Sequence, residues 1–598
     1  MPARTVRAAV GALASMLLVA PAVQAAPGLP PRETPKQAEA VGYGGAVSSV
    51  DPDATRAGIE VLRQGGTAAD AAVAVAAALG VTEPYSAGIG GGGYFVHYDA
   101  RTGKVETIDG RETAPNSARE DLFVENGKPI PFDEAVTSGR SVGVPGTPMT
   151  WQAALDKWGN KNLGDVLRPA ERLARQGFVV DRTFHDQTAQ NQQRFSAFPA
   201  TRELFLPGGK PPEVGSVLRN PDLADTYRAL GARGIDALYH GDLGADVVRT
   251  VNQPPVDPAA HRNVRPGGMT TGDLGAYRTV DRAPTRVGYR GLDVYGMAPS
   301  SSGGTTVGEA LNILGRTDLG HADSTQYLHR FLEASKLSFA DRNRWVGDPA
   351  FSDVPTRQLL SQRFADSRAC LVHDDAVLPA PVAPGDPRNP RDCGQAGKAA
   401  APPYEGPNTT HLTVADARGD IVSYTLTIEQ TGGSGIVVPH RGFLLNNELT
   451  DFSFTPVTPG QPDPNLPGPG KRPRSSISPV MVFRDGRPWF AAGSPGGATI
   501  ITTVLQVLTG RIDRGLSLVD AIAAPRASQR NAARTEAEQG FLAQPEADKL
   551  RALGHRFATS DEIGAATGVE RLPDGRWIAA AERQRRGGGS AEVVLPAG

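Results

Sequence analysis

Asn408-Thr409-Thr410-His411-Leu412-Thr413-Val414-Ala415-Asp416-Ala417-Arg418-Gly419-Asp420-Ile421-Val422-Ser423-Tyr424-Thr425-Leu426-Thr427-Ile428 is the stretch on which the reading of this chain turns. Apolar residues alternate through it, at Leu412 and Val414 and again at Val422, Tyr424, Leu426 and Ile428, which is the period of a strand. Ala417-Arg418-Gly419-Asp420 supplies a turn between the two runs, so the segment predicts a β-hairpin. Cross-strand partners lie equally far from the turn, and folding about Arg418-Gly419 sets Thr427 roughly opposite Thr409 or Thr410. A threonine hydroxyl is a weak nucleophile unless a base stands beside it, and a threonine at a free N-terminus carries that base as its own α-amine. Cleavage of the Asn408–Thr409 bond would therefore create a catalyst. The same residues also suit an ordinary strand start at Thr409 and a plain β-branched strand former at Thr427.

Residues 378–407, just upstream, are rich in Pro and Ala and read as a surface linker, where a backbone cut is well tolerated. At the other end, Arg4 and Arg7 precede an apolar run over residues 8–23, and Val23-Gln24-Ala25 offers the small residues a signal peptidase reads. This predicts a signal peptide over residues 1–25 and a secreted or extracytoplasmic mature protein. No stretch approaches the roughly 20 apolar residues that a membrane span needs. Export agrees with the cysteine usage: Cys370 and Cys393 are the only two in the chain, and in an oxidising compartment they predict one disulfide closing a short loop.

The 598 residues hold 62 Lys+Arg against 64 Asp+Glu, a formal net charge of −2. That balance lacks the basic excess rewarded at nucleic acid, so nucleic acid is excluded as a partner class. The short run Arg583, Arg585, Arg586 reads as a solvated face or loop anchor.

Periodicity predicts helices over 53–63, 68–79, 305–314, 324–346 and 499–509, the second so alanine-rich that it belongs in the interior. Gly88-Ile89-Gly90-Gly91-Gly92-Gly93 satisfies the dinucleotide pattern G-x-G-x-x-G formally. The context is reversed, however, with a helix before the glycines and the strand-like Tyr94-Phe95-Val96-His97-Tyr98 after them, so no nucleotide is expected. Gly493-Ser494-Pro495-Gly496-Gly497 opens the helix at 499; it suits a plain turn, or an oxyanion site built from backbone N–H groups at a helix start. No G-x-S-x-G elbow, H-E-x-x-H or paired C-x-x-C is present, and neither a cofactor nor a metal is implied.

Asn408-Thr409-Thr410-His411, Leu444-Leu445-Asn446-Asn447-Glu448-Leu449-Thr450-Asp451-Phe452, Lys471-Arg472-Pro473-Arg474-Ser475-Ser476-Ile477-Ser478-Pro479 and Gly493-Ser494-Pro495-Gly496-Gly497 together resemble the motifs of the γ-glutamyltranspeptidase family, in its order. Gly65–Ala74, Asp109–Pro115 and Gly347-Asp348-Pro349 extend the resemblance over nearly the whole mature chain. It implies an α+β N-terminal nucleophile hydrolase with stacked α-β-β-α layers, two antiparallel sheets between helices. It also implies a precursor that cuts itself into a large subunit, 26–408, and a small one, 409–598, intertwined in one domain.

Position by position, the resemblance makes Thr409 the nucleophile, Asn408 the last residue of the large subunit, Thr427 an accessory hydroxyl, and Gly496 and Gly497 the oxyanion hole. Arg111, with Ser475 and Ser476, would clamp the substrate α-carboxylate; Glu429, Glu448 and Asp451 would receive its α-amine. A guanidinium fork suits a carboxylate and acidic groups suit an ammonium. Without the resemblance, each has a plainer role: Arg111 on the surface, the acids at a turn, the serines as caps. The implied partners are glutathione or other γ-glutamyl compounds as donors, with water, amino acids or dipeptides as acceptors. Some family members carry amides where this chain has Glu429 and Glu448, so three close carboxylates are expected to repel and raise at least one pKa. The Pro-rich residues 453–470, where many members carry a lid, contain no tyrosine. A cephalosporin or glutaryl amidase of the same hydrolase family, or an inert exported homologue, remains as an alternative.

Overall fold

A computed structural model of the chain describes residues 1, 35–391, 393, 397–399, 406 and 408–597. The expected signal peptide lies outside these residues, apart from residue 1. Thr67 starts the buried alanine helix by accepting from Asp70 N–H while the Asp70 side chain accepts from Thr67 N–H, a reciprocal cap that fixes its first turn. All 15 residues of this helix, Ala68–Thr82, are buried. Alanine makes that possible, since a side chain of one methyl lets helices Pro52–Arg63 and Leu163–Gln176 and strand Thr410–Asp416 all pack closely around it. Helices Gly303–Leu314, Ser324–Trp345 and Thr499–Ile512 occupy the other regions read as helical from periodicity.

The predicted hairpin forms from strands Thr410–Asp416 and Ile421–Thr427, with Thr410 opposite Leu426, and this register sets Thr409 against Thr427. Asp416 latches its turn: Oδ1 accepts from Arg418 N–H at 2.8 Å and Asp420 N–H at 3.1 Å, while Oδ2 accepts from Ala68 N–H at 2.9 Å. One carboxylate thus satisfies the turn and the N-terminus of the alanine helix together.

The hairpin lies inside a 13-stranded, wholly antiparallel arrangement. From one edge the order runs Val280–Arg282, Lys104–Gly110, Gly92–Asp99, Ile421–Thr427, Thr410–Asp416 and Glu39–Ser49. It continues through Trp577–Ala581, Thr567–Arg571, Arg487–Gly493, Val480–Arg484, Leu292–Gly296 and Thr285–Tyr289. Glu39–Ser49 serves both halves, pairing at its start with Trp577–Ala581 and further on with Thr410–Asp416, and it also pairs with Ser590–Pro596. The two halves are therefore continuous in hydrogen bonding, yet they pack face to face. Ser423 Oγ donates to Ala492 O at 3.2 Å and Ser48 Oγ to Gly568 O at 3.0 Å across the gap, and a Cβ on Gly493 would lie 2.3 Å from the His411 ring.

One apolar core joins Leu412, Val414, Val422, Tyr424 and Leu426 to the alanine helix and its neighbours. A second joins Val294, Val482, Phe490 and Val569 to helices Gly303–Leu314, Ser324–Trp345 and Thr499–Ile512. The result is the α-β-β-α sandwich. Blocks of strands from before and after Asn408 interleave in it, so neither part can bury its sheet faces alone.

The glycines of the false dinucleotide motif have a packing role: a Cβ on Gly91 would sit 2.1 Å from Thr427 O and one on Gly90 2.1 Å from Leu444 O. Most described residues of the linker are exposed or half-buried, as the surface reading expects, but a few anchor it on the body. Val382 is fully buried and exchanges hydrogen bonds with Asn531, at 2.7 Å from Val382 N–H and 2.9 Å to Val382 O, while Gly406 and Asn408 are buried at the far end. Its Pro/Ala composition signalled irregular backbone, and at Val382 and Gly406 that backbone is anchored because its amides find partners in the folded body. Cys370 and Cys393 are disulfide-bonded, with Cα atoms 5.7 Å apart and a sequence separation of 23. Reduction, or Cys393→Ser, should lower stability by about 3 kcal/mol through loop entropy; denaturant melts with and without reductant check this, and coincident melts would contradict it.

Candidate active site

Asn408 and Thr409, just before strand Thr410–Asp416, enter a pocket that Arg111, Gly406, Thr427, Glu429, Glu448, Asp451, Ser475, Ser476, Ile477, Gly497 and Ile500 complete. Thr409 Oγ1 donates to the carbonyl of Asn408, the residue before it, and lies 3.3 Å from Thr427 Oγ1. Thr427 Oγ1 donates to the same carbonyl at 3.0 Å and accepts from Glu429 N–H at 2.9 Å. Two hydroxyls thus polarise one peptide carbonyl, and one of them belongs to the neighbouring threonine. The Asn408 amide is fully engaged: Nδ2 donates to Tyr85 O at 2.9 Å, and Oδ1 accepts from Ser86 Oγ at 3.0 Å, Thr409 N–H at 3.0 Å and Arg586 Nη2 at 2.7 Å.

His411 is no base for this site. Burial pushes its pKa down to about 3, and its ring nitrogens pair with Thr425 Oγ1 at 2.7 Å and Thr413 Oγ1 at 3.2 Å. The α-amine that cleavage would free at Thr409 is the nearer candidate. Gly496 and Gly497 adopt φ of +133° and +55°, and a Cβ on Gly496 would meet Thr499 Oγ1 at 2.5 Å. Neither glycine N–H donates to a described residue, and Gly497 lines the pocket.

Arg111 is held at both ends. Its N–H donates to Asp109 Oδ1 at 3.1 Å, its carbonyl accepts from Tyr277 OH at 2.9 Å, and its guanidinium donates to Pro473 O at 3.2 Å and Arg474 O at 3.1 Å. The remaining guanidinium faces pair with Glu448 and Asp451. Burial works against its charge, but Glu448 and Asp451 outweigh that and raise its pKa well above the ordinary value. The sequence suggested a carboxylate end and an ammonium end standing apart; here the arginine sits directly between two of the acids, because at 1% side-chain exposure it must be paired.

The third acid, Glu429, accepts from Gly406 N–H at 2.7 Å and from Asn447 Nδ2. Its pKa is held well above the ordinary carboxylate value by burial first, then by the charges of Asp451 and Glu448. Glu448 is pushed up to about 7 by burial, with Arg111 opposing and Asp451 adding. A fourth acid, Glu112, was not singled out from sequence although it stands in the Asp109–Pro115 motif. It is fully buried, its oxygens meet no donor among the described residues, and burial followed by the Glu448 charge raises its pKa well above the ordinary value. Glu448 Oε2 likewise meets no donor among the described residues.

Ser475 and Ser476 close the pocket on the far side. Ser475 Oγ accepts from Ile477 N–H at 3.1 Å, and Ser476 Oγ accepts from Arg342 Nη2 at 2.7 Å. Arg342, from helix Ser324–Trp345, also donates to Ser302 Oγ at 3.0 Å; nothing in its local pattern marked it. Asn465 pins the base of the Pro-rich segment, donating to Asp451 O at 2.7 Å and accepting from Arg474 N–H at 2.8 Å. Away from the pocket, His329, Glu333 and His555 place ligand atoms within 4.8 Å of one another. They are engaged already, His329 with His555 at 2.8 Å and His373 O at 2.6 Å, Glu333 with Lys336 Nζ at 2.6 Å and Leu378 N–H at 2.8 Å. A cation there would also face the lysine ammonium.

The γ-glutamyltranspeptidase family model matches residues 54–592. The chain belongs to the γ-glutamyltranspeptidase family. It is 39% identical over 567 residues to a glutathione hydrolase proenzyme of Bacillus subtilis strain 168, covering 93% of each. It is also 34% identical over 559 residues to the acylase ACY 1 proenzyme of Pseudomonas sp. strain SE83, covering 91% of this chain and 92% of the relative. Among solved structures, a cephalosporin acylase from Bacillus halodurans superimposes with a TM-score of 0.81 at 28% identity, over 95% of this chain and 98% of that one. Transferase and hydrolase chemistry is thus the frame of this fold, and its relatives are named both as glutathione hydrolases and as acylases.

As pH falls through about 7, Glu448 takes up a proton and the pocket loses a negative charge that would attract a cationic substrate group. Turnover should therefore show an acid-side limb near that pH, expressed in KM, which Glu448→Gln displaces; an unmoved limb would assign it elsewhere.

Proposed function

We propose that this chain is an exported, self-processing γ-glutamyltransferase and glutathione hydrolase whose nucleophile is Thr409. The observation that carries the reading is the Asn408 carbonyl held by the hydroxyls of both Thr409 and Thr427. Cleavage there leaves a large subunit ending at Asn408 and a small one starting at Thr409, with the new α-amine beside Oγ1 as its base. Asn408 and Gly406 lie in the pocket of the uncut chain, with Gly406 N–H on Glu429. Withdrawal of this tail frees Glu429 for a substrate.

In the cut enzyme, Arg111, Ser475 and Ser476 receive the α-carboxylate of a γ-glutamyl donor such as glutathione, while Glu429, Glu448 and Asp451 receive its α-ammonium. Arg111 is then shared between the substrate carboxylate and the acids that now neutralise it, so both charges of the ligand arrive together. Anchoring at both ends brings the γ-carbonyl to Thr409 Oγ1 and makes attack nearly intramolecular. Gly496 and Gly497 supply N–H groups for the oxyanion. The hydroxyl oxygen bonds to the γ-carbonyl carbon, the α-amine takes the hydroxyl proton and passes it to the leaving amine, and a γ-glutamyl ester remains. Water releases glutamate from that ester, or an amino acid or dipeptide amine takes the acyl group.

Acylase relatives make glutaryl or cephalosporin side chains the second reading. The acids at 429, 448 and 451 favour the first, since a glutaryl group has no ammonium to offer them.

Thr409→Ala should remain one chain and release nothing from a γ-glutamyl anilide, whereas the wild type should give two fragments, the smaller beginning at Thr409. An uncut wild type that turns over would sink the reading. The γ-glutamyl anilide should be preferred over the glutaryl anilide by at least about 100-fold in kcat/KM, because the latter leaves the acids without their partner; the reverse preference would identify an acylase. Arg111→Ala should lower kcat/KM at least about 100-fold by removing charged hydrogen bonds worth roughly 1.5–3 kcal/mol each, and unchanged turnover would remove Arg111 from the site.

A further inference from the structure

Arg586, the last member of the basic run, reaches the bond at which the chain is proposed to cut. Its Nη1 donates to Thr409 O at 2.8 Å and its Nη2 to Asn408 Oδ1 at 2.7 Å. One planar guanidinium therefore bridges the residues on either side of the Asn408–Thr409 peptide.

The reach of this side chain is built into the backbone. Arg586 sits in the left-handed region, φ +54° and ψ +37°, which a non-glycine residue occupies only when its surroundings enforce it. Its N–H donates to Glu562 Oε2 at 3.0 Å, and its carbonyl accepts from Lys36 Nζ at 3.3 Å, a lysine itself paired with Asp181 at 3.1 Å. The preceding Arg585 is locked by Glu538 and Glu582, the latter at 3.0 Å. At the other end of the contact, Tyr85 O and Ser86 Oγ hold the rest of the Asn408 amide. Arg586 completes the set that stops Asn408 from turning.

We infer that Arg586 is a positioning residue for self-cleavage, fixing Asn408 and Thr409 so that the Thr409 hydroxyl stays aligned on the scissile carbonyl; this rests on the proposed Thr409 chemistry. In that step Thr409 Oγ1 bonds to the Asn408 carbonyl carbon, the C–N bond breaks, and the hydroxyl proton ends on the departing Thr409 nitrogen. Water then adds to the resulting ester, Oγ1 leaves with one of its protons, and Asn408 keeps the carboxylate. Arg586 touches neither the attacked carbonyl nor the hydroxyl, so its contribution is orientation: without the fork, the two residues regain rotation and the aligned conformer becomes rarer.

The test is the rate at which freshly synthesised full-length chain converts to two fragments on denaturing gels, for wild type, Arg586→Met and Arg586→Lys, with melting temperatures measured on each uncut chain. Arg586→Met should cut about ten- to a hundredfold more slowly, from the loss of two charge-assisted hydrogen bonds. Arg586→Lys, which keeps the charge and one donor at a time, should recover part of that loss at an unchanged melting temperature. A residue serving stability alone would slow cutting only as far as it lowered melting, and Lys and Met would then rank by melting temperature. If Arg586→Met fails to fold, Arg586→Lys decides: slower cutting at wild-type melting temperature supports the role, equal cutting overturns it. Wild-type cutting by Arg586→Met overturns the role and leaves Thr409 in place, whereas a wild type that never cuts brings down both.

Discussion

The structure depends on the pairing of Thr410 with Leu426, because that register sets two hydroxyls on one carbonyl. A hairpin slipped by one residue would turn every side chain to the opposite face. Leu412 and Val414 would leave the helical core, and Thr427 would leave Thr409. Burial of both faces therefore enforces the alignment of the polar end: the cost of forcing several core side chains into the filled layer between the sheets, roughly 1–3 kcal/mol each, stands behind a geometry that two hydroxyls could not hold alone. Asp416 at the turn and Gly91 against Thr427 O restrict the two ends of the same ladder.

Charge in the pocket follows from burial. Arg111, at 1% side-chain exposure, pairs with Glu448 and Asp451, yet Glu429 and Glu112 add two more acids within the same buried region. Four full negative charges against one guanidinium would be prohibitive at this depth. Proton uptake relieves the excess, which is why Glu112, Glu429 and Glu448 all hold protons more tightly than a free carboxyl. Such a pocket keeps an acidic lining without the full cost of ionising it, and on the proposed reading an arriving ammonium stabilises the ionised form.

Much of this was legible in the sequence, and the reasons are local. The hairpin could be read because alternation and turn chemistry both lie within Thr409–Ile428, and the alanine helix because a run of small apolar residues from Ala71 to Leu79 has few other uses. The rejection of nucleotide binding at Gly88–Gly93 followed from element order alone, and the contacts of Gly90 and Gly91 with backbone oxygens give those glycines their actual purpose. What sequence could not give is convergence over long separations. Arg342 reaches Ser476 across 134 positions and Arg586 reaches Asn408 across 178, with no periodic or motif signal at either arginine. The linker's surface course was legible but its anchor points were not, for a related reason: composition describes how its backbone bends, while the seating of Val382 and Gly406 depends on Asn531 and Glu429, which lie far away or beyond the turn of another element.

The buried position of Asn408 bears on how the chain would be cut. An exposed linker invites proteases, which need an extended segment free to enter their own clefts. Asn408 is 3% exposed and its amide is held on every side, so no external cleft could receive this bond without unfolding the hairpin. The reagents that can reach it are those already inside: two hydroxyls and water. On the proposed reading, burial that excludes outside catalysts would favour the internal one, using the same hydroxyl and the same pocket that a γ-glutamyl substrate would meet afterwards. The first acyl group Thr409 would handle on that reading is that of its own neighbour, and the fold that aligns that carbonyl would also align the next.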